Sequence, residues 1–114
     1  MVEYPRERLD GVYAALAHPV RRTLLEHLRL REARVTELAV PFAISLEAVS
    51  KHIRVLESAG LVRRTIHGRE HQLALEPTPL IRAATWLDRY RSFWEARLDL
   101  LEAKLRGGSE QLWL

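Results

Sequence analysis

Glu47, Ser50, Lys51 and Arg54 recur three and four residues apart, so on a helix a carboxylate, a hydroxyl, an ammonium and a fork-shaped guanidinium would share one side. These are side chains that can meet base edges and phosphates in the major groove of double-stranded DNA. The helix is legible from its other side, because Val49, Ile53 and Leu56 follow at i, i+4 and i+7 and can bury against a core. Ser45 stands where an N-cap belongs, on the DNA-facing end, and Gly60 stands where a helix stops. His52 falls at the edge of the apolar side, where either a phosphate contact or a structural hydrogen bond would suit it.

Other elements must hold that face in place. Thr36-Glu-Leu-Ala-Val begins a helix that Pro41 should keep short or kinked, and only a tight turn separates it from Ser45. Two helices so joined predict a helix-turn-helix, with residues 46–58 as the reading helix. After Gly60, residues 61–66 and 71–75 alternate in character and are joined through His67-Gly68-Arg69-Glu70, which predicts a two-stranded wing. Arg69 at its tip is placed for a minor-groove or backbone contact. Upstream, Leu9, Val12, Tyr13 and Leu16 mark a first helix ending near His18, and Pro19 opens a second whose buried stripe is Val20, Leu24, Leu25 and Leu28. Arg21 and Arg22 stand in its first turn, where cations oppose the helix dipole. A phosphate contact or an internal ion pair is therefore expected of at least one.

The last helix should open at Thr78-Pro79 and stop at Gly107-Gly108. Such a helix spans roughly 40 Å, against a radius of gyration near ~13 Å for a domain of this size. Leu87, Tyr90, Trp94, Leu98, Leu101 and Leu105 form a stripe on it close to heptad spacing, joined by Trp86 and Phe93. The expected partner is a second copy. A homodimer closed by Trp86, Tyr90, Phe93, Trp94, Leu98, Leu101 and Leu105, together with Leu9, Val12, Tyr13 and Leu16 of the first helix, would present two reading helices to an inverted repeat. The fold class is thus mainly α with a small β-hairpin, a winged helix-turn-helix over residues 1–106, followed by a short tail at 107–114 with no assigned role.

Composition agrees with this and removes alternatives. The 114 residues carry a formal charge of +3, and five arginines between His18 and Arg34 face only Glu26 and Glu32. A polyanion partner fits that distribution. The chain has no cysteine, so disulfides, thiolate metal sites and a cysteine nucleophile are excluded. His67 and His71 straddle a turn without a third ligand, so neither a metal nor another cofactor is expected. Ser50 and His52 lie two apart and face different ways on a helix, and no phosphate loop accompanies them, so no enzyme is expected. No apolar run approaches a membrane span or a signal-peptide core, and a cytoplasmic protein is expected.

Ala-His-Pro-Val-Arg-Arg-Thr-Leu-Leu at 17–25, Thr-Glu-Leu-Ala at 36–39, Val-Ser-Lys-His-Ile-Arg-Val-Leu-Glu-Ser-Ala-Gly-Leu-Val at 49–62 and Gly-Arg at 68–69 resemble the ArsR/SmtB family. The resemblance implies dimeric winged-helix transcriptional regulation, usually repression relieved by an inducer. Founding members sense metals through a pattern similar to Cys-Val-Cys-Asp-Leu, and this chain has Arg34-Val35-Thr36-Glu37-Leu38 in its place. Asp88 and Asp99 stand on the last helix without the histidines of the family's second site. The chain looks like the branch lacking metal ligands, with an unknown small-molecule effector as the open signal. Two alternatives are kept: a winged-helix protein-interaction module, and a metal-responsive variant of the same regulator.

Overall fold

The computed structural model describes residues 6–112. In chain order the elements are α1 (Arg6–Leu16), α2 (Pro19–Leu30), β1 (Ala33–Arg34), α3 (Val35–Ala39), α4 (Leu46–Ser58), β2 (Val62–His67), β3 (Glu70–Leu75) and α5 (Thr78–Leu112). The described chain divides into two units, a head that ends at Ala83 and a second unit from Ala84 onward that is the remainder of α5.

Period explains the head. Leu24, Leu25 and Leu28 of α2 and Val49, Ile53 and Leu56 of α4 are all buried, each set on one side of its helix. They meet Val12 and Ala15 of α1, Leu38 of α3 and Leu61, Val62 and Leu73 around the hairpin in one continuous core. No polar or charged residue is buried among the described residues, so hydrophobic burial alone carries the centre. Pro19 sits at the first position of α2, where it forfeits no intrahelical hydrogen bond, and the His18 ring nitrogen Nδ1 accepts from Val20 N–H at 3.1 Å to cap the turn. As expected from Pro41, α3 is a single short helix of 5 residues.

The sheet is larger than the sequence suggested. The hairpin β2–β3 is antiparallel, with Val62 opposite Leu75 and His67 opposite Glu70, and closes on Gly68–Arg69. Gly68 takes a positive φ of 64° while Arg69 does not, the pattern of a type II′ turn. β1 adds a third strand on the other edge of β3, pairing Ala33 with Leu73 and Arg34 with Gln72. Two residues are too few to show any alternation, which is why sequence pattern missed the strand.

Two expectations are corrected. Val12, assigned to a subunit interface, has no exposed surface and faces the core of its own head. Leu9, Tyr13 and Leu16 are half-buried against that same core, with the Tyr13 hydroxyl donating to the Ala83 carbonyl at 2.9 Å. The expected helix stop at Gly107-Gly108 does not occur, because α5 runs through both glycines to Leu112. Glycine weakens a helix interior by about 1 kcal/mol but ends it only when it adopts a left-handed cap, and Gly107 has no positive φ. Most of the proposed tail is thus helical backbone, and Trp113 and Leu114 lie outside the described residues.

Gly60 does make such a cap. Its φ is 76°, its N–H donates to the Glu57 carbonyl at 2.9 Å, and Leu61 N–H donates to the Leu56 carbonyl at 2.9 Å. That is the paired hydrogen bonding of a Schellman motif, and it turns the chain from α4 directly into the wing. A methyl at Gly60 would meet Pro79 only at ordinary contact distance, so backbone conformation is the whole cost. Gly60→Ala should lower unfolding free energy by about 1–2 kcal/mol, read as a reduced denaturant midpoint with an unchanged slope.

Candidate nucleic-acid interface

α4 supplies the expected face. Glu47, Lys51 and Arg54 are exposed and Ser50 is half-buried, opposite the buried Val49, Ile53 and Leu56. Ser45 acts as the N-cap, its hydroxyl oxygen accepting from Ala48 N–H at 3.1 Å. The Lys51 ammonium and the Glu47 carboxylate have no hydrogen bond or ion pair among the described residues. Among the described residues Arg54 makes only a long contact of 3.4 Å from Nε to the Ser50 carbonyl. The Arg69 guanidinium at the wing tip is likewise exposed and unpaired among the described residues. Between the start of α3 and the wing, with Ser50 of α4 at its edge, lies an open cleft of about 450 Å³ bordered by Arg34, Val35, Thr36, Arg64, Arg69, Glu70 and His71.

Arg21 and Arg22 bond within the head. Arg21 donates from Nε to the Ala15 carbonyl at 2.7 Å and from Nη2 to the Ala14 carbonyl at 3.1 Å, and Arg22 donates from Nη1 to the Leu16 carbonyl at 2.7 Å. The two cations opposed to the α2 dipole are answered by the negative C-terminal end of α1, whose last carbonyls lack helical partners. Neither arginine has an acidic partner among the described residues, so of the two expected roles, phosphate contact or internal ion pair, the second is taken by carbonyl capping. Arg21 also reaches α4, placing Nη1 3.1 Å from His52 Nδ1, while the His18 and His52 rings lie 4.3 Å apart. Since an arginine can only donate, His52 must accept through an unprotonated Nδ1. Its ring therefore ties α4 to α2 and, through Arg21, to α1.

A second tie escaped sequence reasoning. Glu57, near the end of α4, accepts from Arg64 of β2 in a two-pronged pair, Nη2 to Oε1 at 2.7 Å and Nε to Oε2 at 3.1 Å. The side chains are only 26% and 25% exposed. Hydrogen bonding to Glu57 raises the Arg64 pKa above its ordinary value against the opposing effect of burial, so the guanidinium stays charged. Arg64 also places Nη1 2.9 Å from His71 Nδ1, which gives that histidine a structural role. One side chain thus joins the reading helix to both strands of the wing. Seven residues across a turn is no recognisable motif, and nothing in the spacing of Glu57 and Arg64 separates them from other surface charges. A smaller network, in which Arg34 N–H and Nε donate to Glu37 at 3.1 Å and Nη1 approaches Glu70 at 3.4 Å, links the start of α3 to the wing.

A buried-backed helix with a free basic face, a short preceding helix and a hairpin fixed beside it define a winged helix-turn-helix head. A family model described as a helix-turn-helix domain matches residues 16–65. The chain is 38% identical over 89 residues to the HTH-type transcriptional regulator Rv2034 of Mycobacterium tuberculosis, covering 78% of this chain and 80% of that protein. It is 38% identical over 69 residues to the HTH-type transcriptional repressor SmtB of the same species, covering 58% of this chain and 51% of that one. A crystal structure of an ArsR family transcriptional regulator matches with a TM-score of 0.76 and 37% identity, over 82% of this chain and 97% of the other. The ArsR-like transcriptional regulator from Rhodococcus sp. RHA1 matches at 0.69 and 29%, over 85% and 92%. The chain belongs to the ArsR/SmtB family of winged helix-turn-helix transcriptional regulators.

Two measurements test the ties. Burial first, then the His18 and Arg21 charges, hold the His52 imidazole below its ordinary value of 6.5. In the unfolded chain His52 gains a proton as pH falls through 6.5, whereas the folded protein resists until lower pH, so its contribution is full above 6.5 and is lost on acidification. His52→Asn, which keeps an acceptor near the Nδ1 position but cannot titrate, should flatten the fall in stability between pH 7 and pH 5. Arg64→Met should cost about 1–3 kcal/mol at pH 7, because it leaves a half-buried Glu57 carboxylate unpaired, and thermal unfolding monitored by circular dichroism would show it.

Proposed function

We propose that the protein is a sequence-specific, homodimeric repressor that acts in the cytoplasm and binds an inverted repeat with one α4 in each major groove. The observation that carries this is the free face of Glu47, Ser50, Lys51 and Arg54 on a helix otherwise fixed by its buried side. Lys51 and Arg54 supply charge for phosphates or base acceptors, and Arg69 supplies a contact from the wing. Arg21, Arg22, Ser45 and His52 act at one remove, by fixing α4 against the rest of the head. The reading assigns no catalytic step and no metal.

The dimer reading rests on α5. Trp86, Tyr90, Phe93, Trp94, Leu98, Leu101 and Leu105 are each at least two-fifths exposed. Trp86 stacks with Tyr90 at 5.8 Å, and Phe93 meets Trp94 edge-on at 5.6 Å, two aromatic pairs within nine residues of one helix. An apolar surface of that extent on a water-soluble chain calls for a cover, and a second copy of the same helix is self-complementary by two-fold symmetry.

Lys51→Ala combined with Arg54→Ala should weaken operator binding by about 10-fold or more. It should also lower the slope of log affinity against log salt by about 1 for each phosphate contact removed per protomer. Unchanged affinity in a mobility-shift assay would refute the assignment of α4. Trp94→Glu with Leu98→Glu should convert a dimer to a monomer by sedimentation while leaving helical content intact.

A further inference from the structure

Leu46 is the first residue of α4, and 49% of its surface is open to solvent. No internal task explains a large aliphatic side chain there. Ser45 supplies the cap, Ile44 and Val49 stand at the N′ and N4 spacing of a hydrophobic staple, and the buried stripe begins only at Val49. Beside it, the Glu47 carboxylate is exposed and unpaired among the described residues. A first-turn glutamate suits the helix dipole, yet on a face shared with Lys51 and Arg54 it would be repelled by phosphates unless a base donated to it.

The N-terminal residues of a reading helix are those that reach base edges. In the major groove an apolar side chain finds one matching feature, the C5-methyl of thymine, and a carboxylate finds the N4 amine of cytosine. Adenine also offers an amine, but its N7 acceptor lies alongside and opposes a carboxylate. Successive helical residues are turned by about 100° and displaced by about 1.5 Å, so these two address neighbouring positions. We infer that Leu46 and Glu47 set the operator sequence, Leu46 packing on a thymine methyl and Glu47 accepting from an adjacent cytosine amine in each half-site. This rests on the DNA-binding reading above and adds to it the identity of two bases.

The full chain should be used to select duplexes from a random library, and each half-site should then carry neighbouring thymine and cytosine. Replacing that thymine by deoxyuridine deletes one methyl and should weaken wild-type binding about four-fold, the effect of one buried methyl group. Leu46→Ala, at an exposed position, should bind the two duplexes equally. Glu47→Gln replaces the acceptor with an amide that pairs with adenine at N6 and N7, so the selected base should move from cytosine to adenine. Wild-type indifference to deoxyuridine at every half-site thymine, or an unmoved base preference in Glu47→Gln, would overturn the inference while leaving DNA binding standing. A protein that selects no duplex would overturn both.

Discussion

A helix that enters a groove must be held from behind, because every side chain used to fix its front is lost to the ligand. That constraint organises the head. Val49, Ile53 and Leu56 are buried completely, so α4 is anchored by apolar packing along one stripe. Hydrophobic packing is non-directional. The polar ties at the two flanks, His52 to Arg21 on one side and Glu57 to Arg64 on the other, supply what the stripe lacks. Both sit at the margin between core and solvent, where partial burial strengthens a charge-assisted hydrogen bond without the full desolvation cost of the interior.

The same economy of geometry explains the arginines of α2. Placed at a helix N-terminus they are locally unfavourable, yet three consecutive carbonyls at the end of α1 receive them. The unfavourable dipole interaction of one helix is offset by the unsatisfied acceptors of its neighbour, and the turn between α1 and α2 is fixed as a result. Arg21 then carries that position forward to α4.

Much of this was legible in the residues. The bounds of α4, the shortness of α3, the wing and its glycine turn follow from apolar period, one proline and two glycines, all local signals. What escaped notice depends on contacts distant in sequence or on segments too short to have a period. β1 is two residues long, and its partners Leu73 and Gln72 lie far along the chain. The Glu57–Arg64 pair is made by a Schellman turn whose hydrogen bonds, not its spacing, bring the two charges together. Arg21 and Arg22 stand where cations are costly, but only the fold reveals the carbonyls that answer them. Val12 shows the converse error, since an apolar stripe on an amphipathic helix does not say whether it meets its own chain or another. Gly107-Gly108 shows that glycine permits a stop without requiring one.

Arg34 is a strand residue of β1, the N-cap of α3 and the cation facing Glu70 at the base of the wing turn. Three elements therefore meet at one residue, which belongs to β1, caps α3 and pairs with β3. The edge of the wing and the first turn of α3 are thus held at one residue, on the side of β3 away from β2.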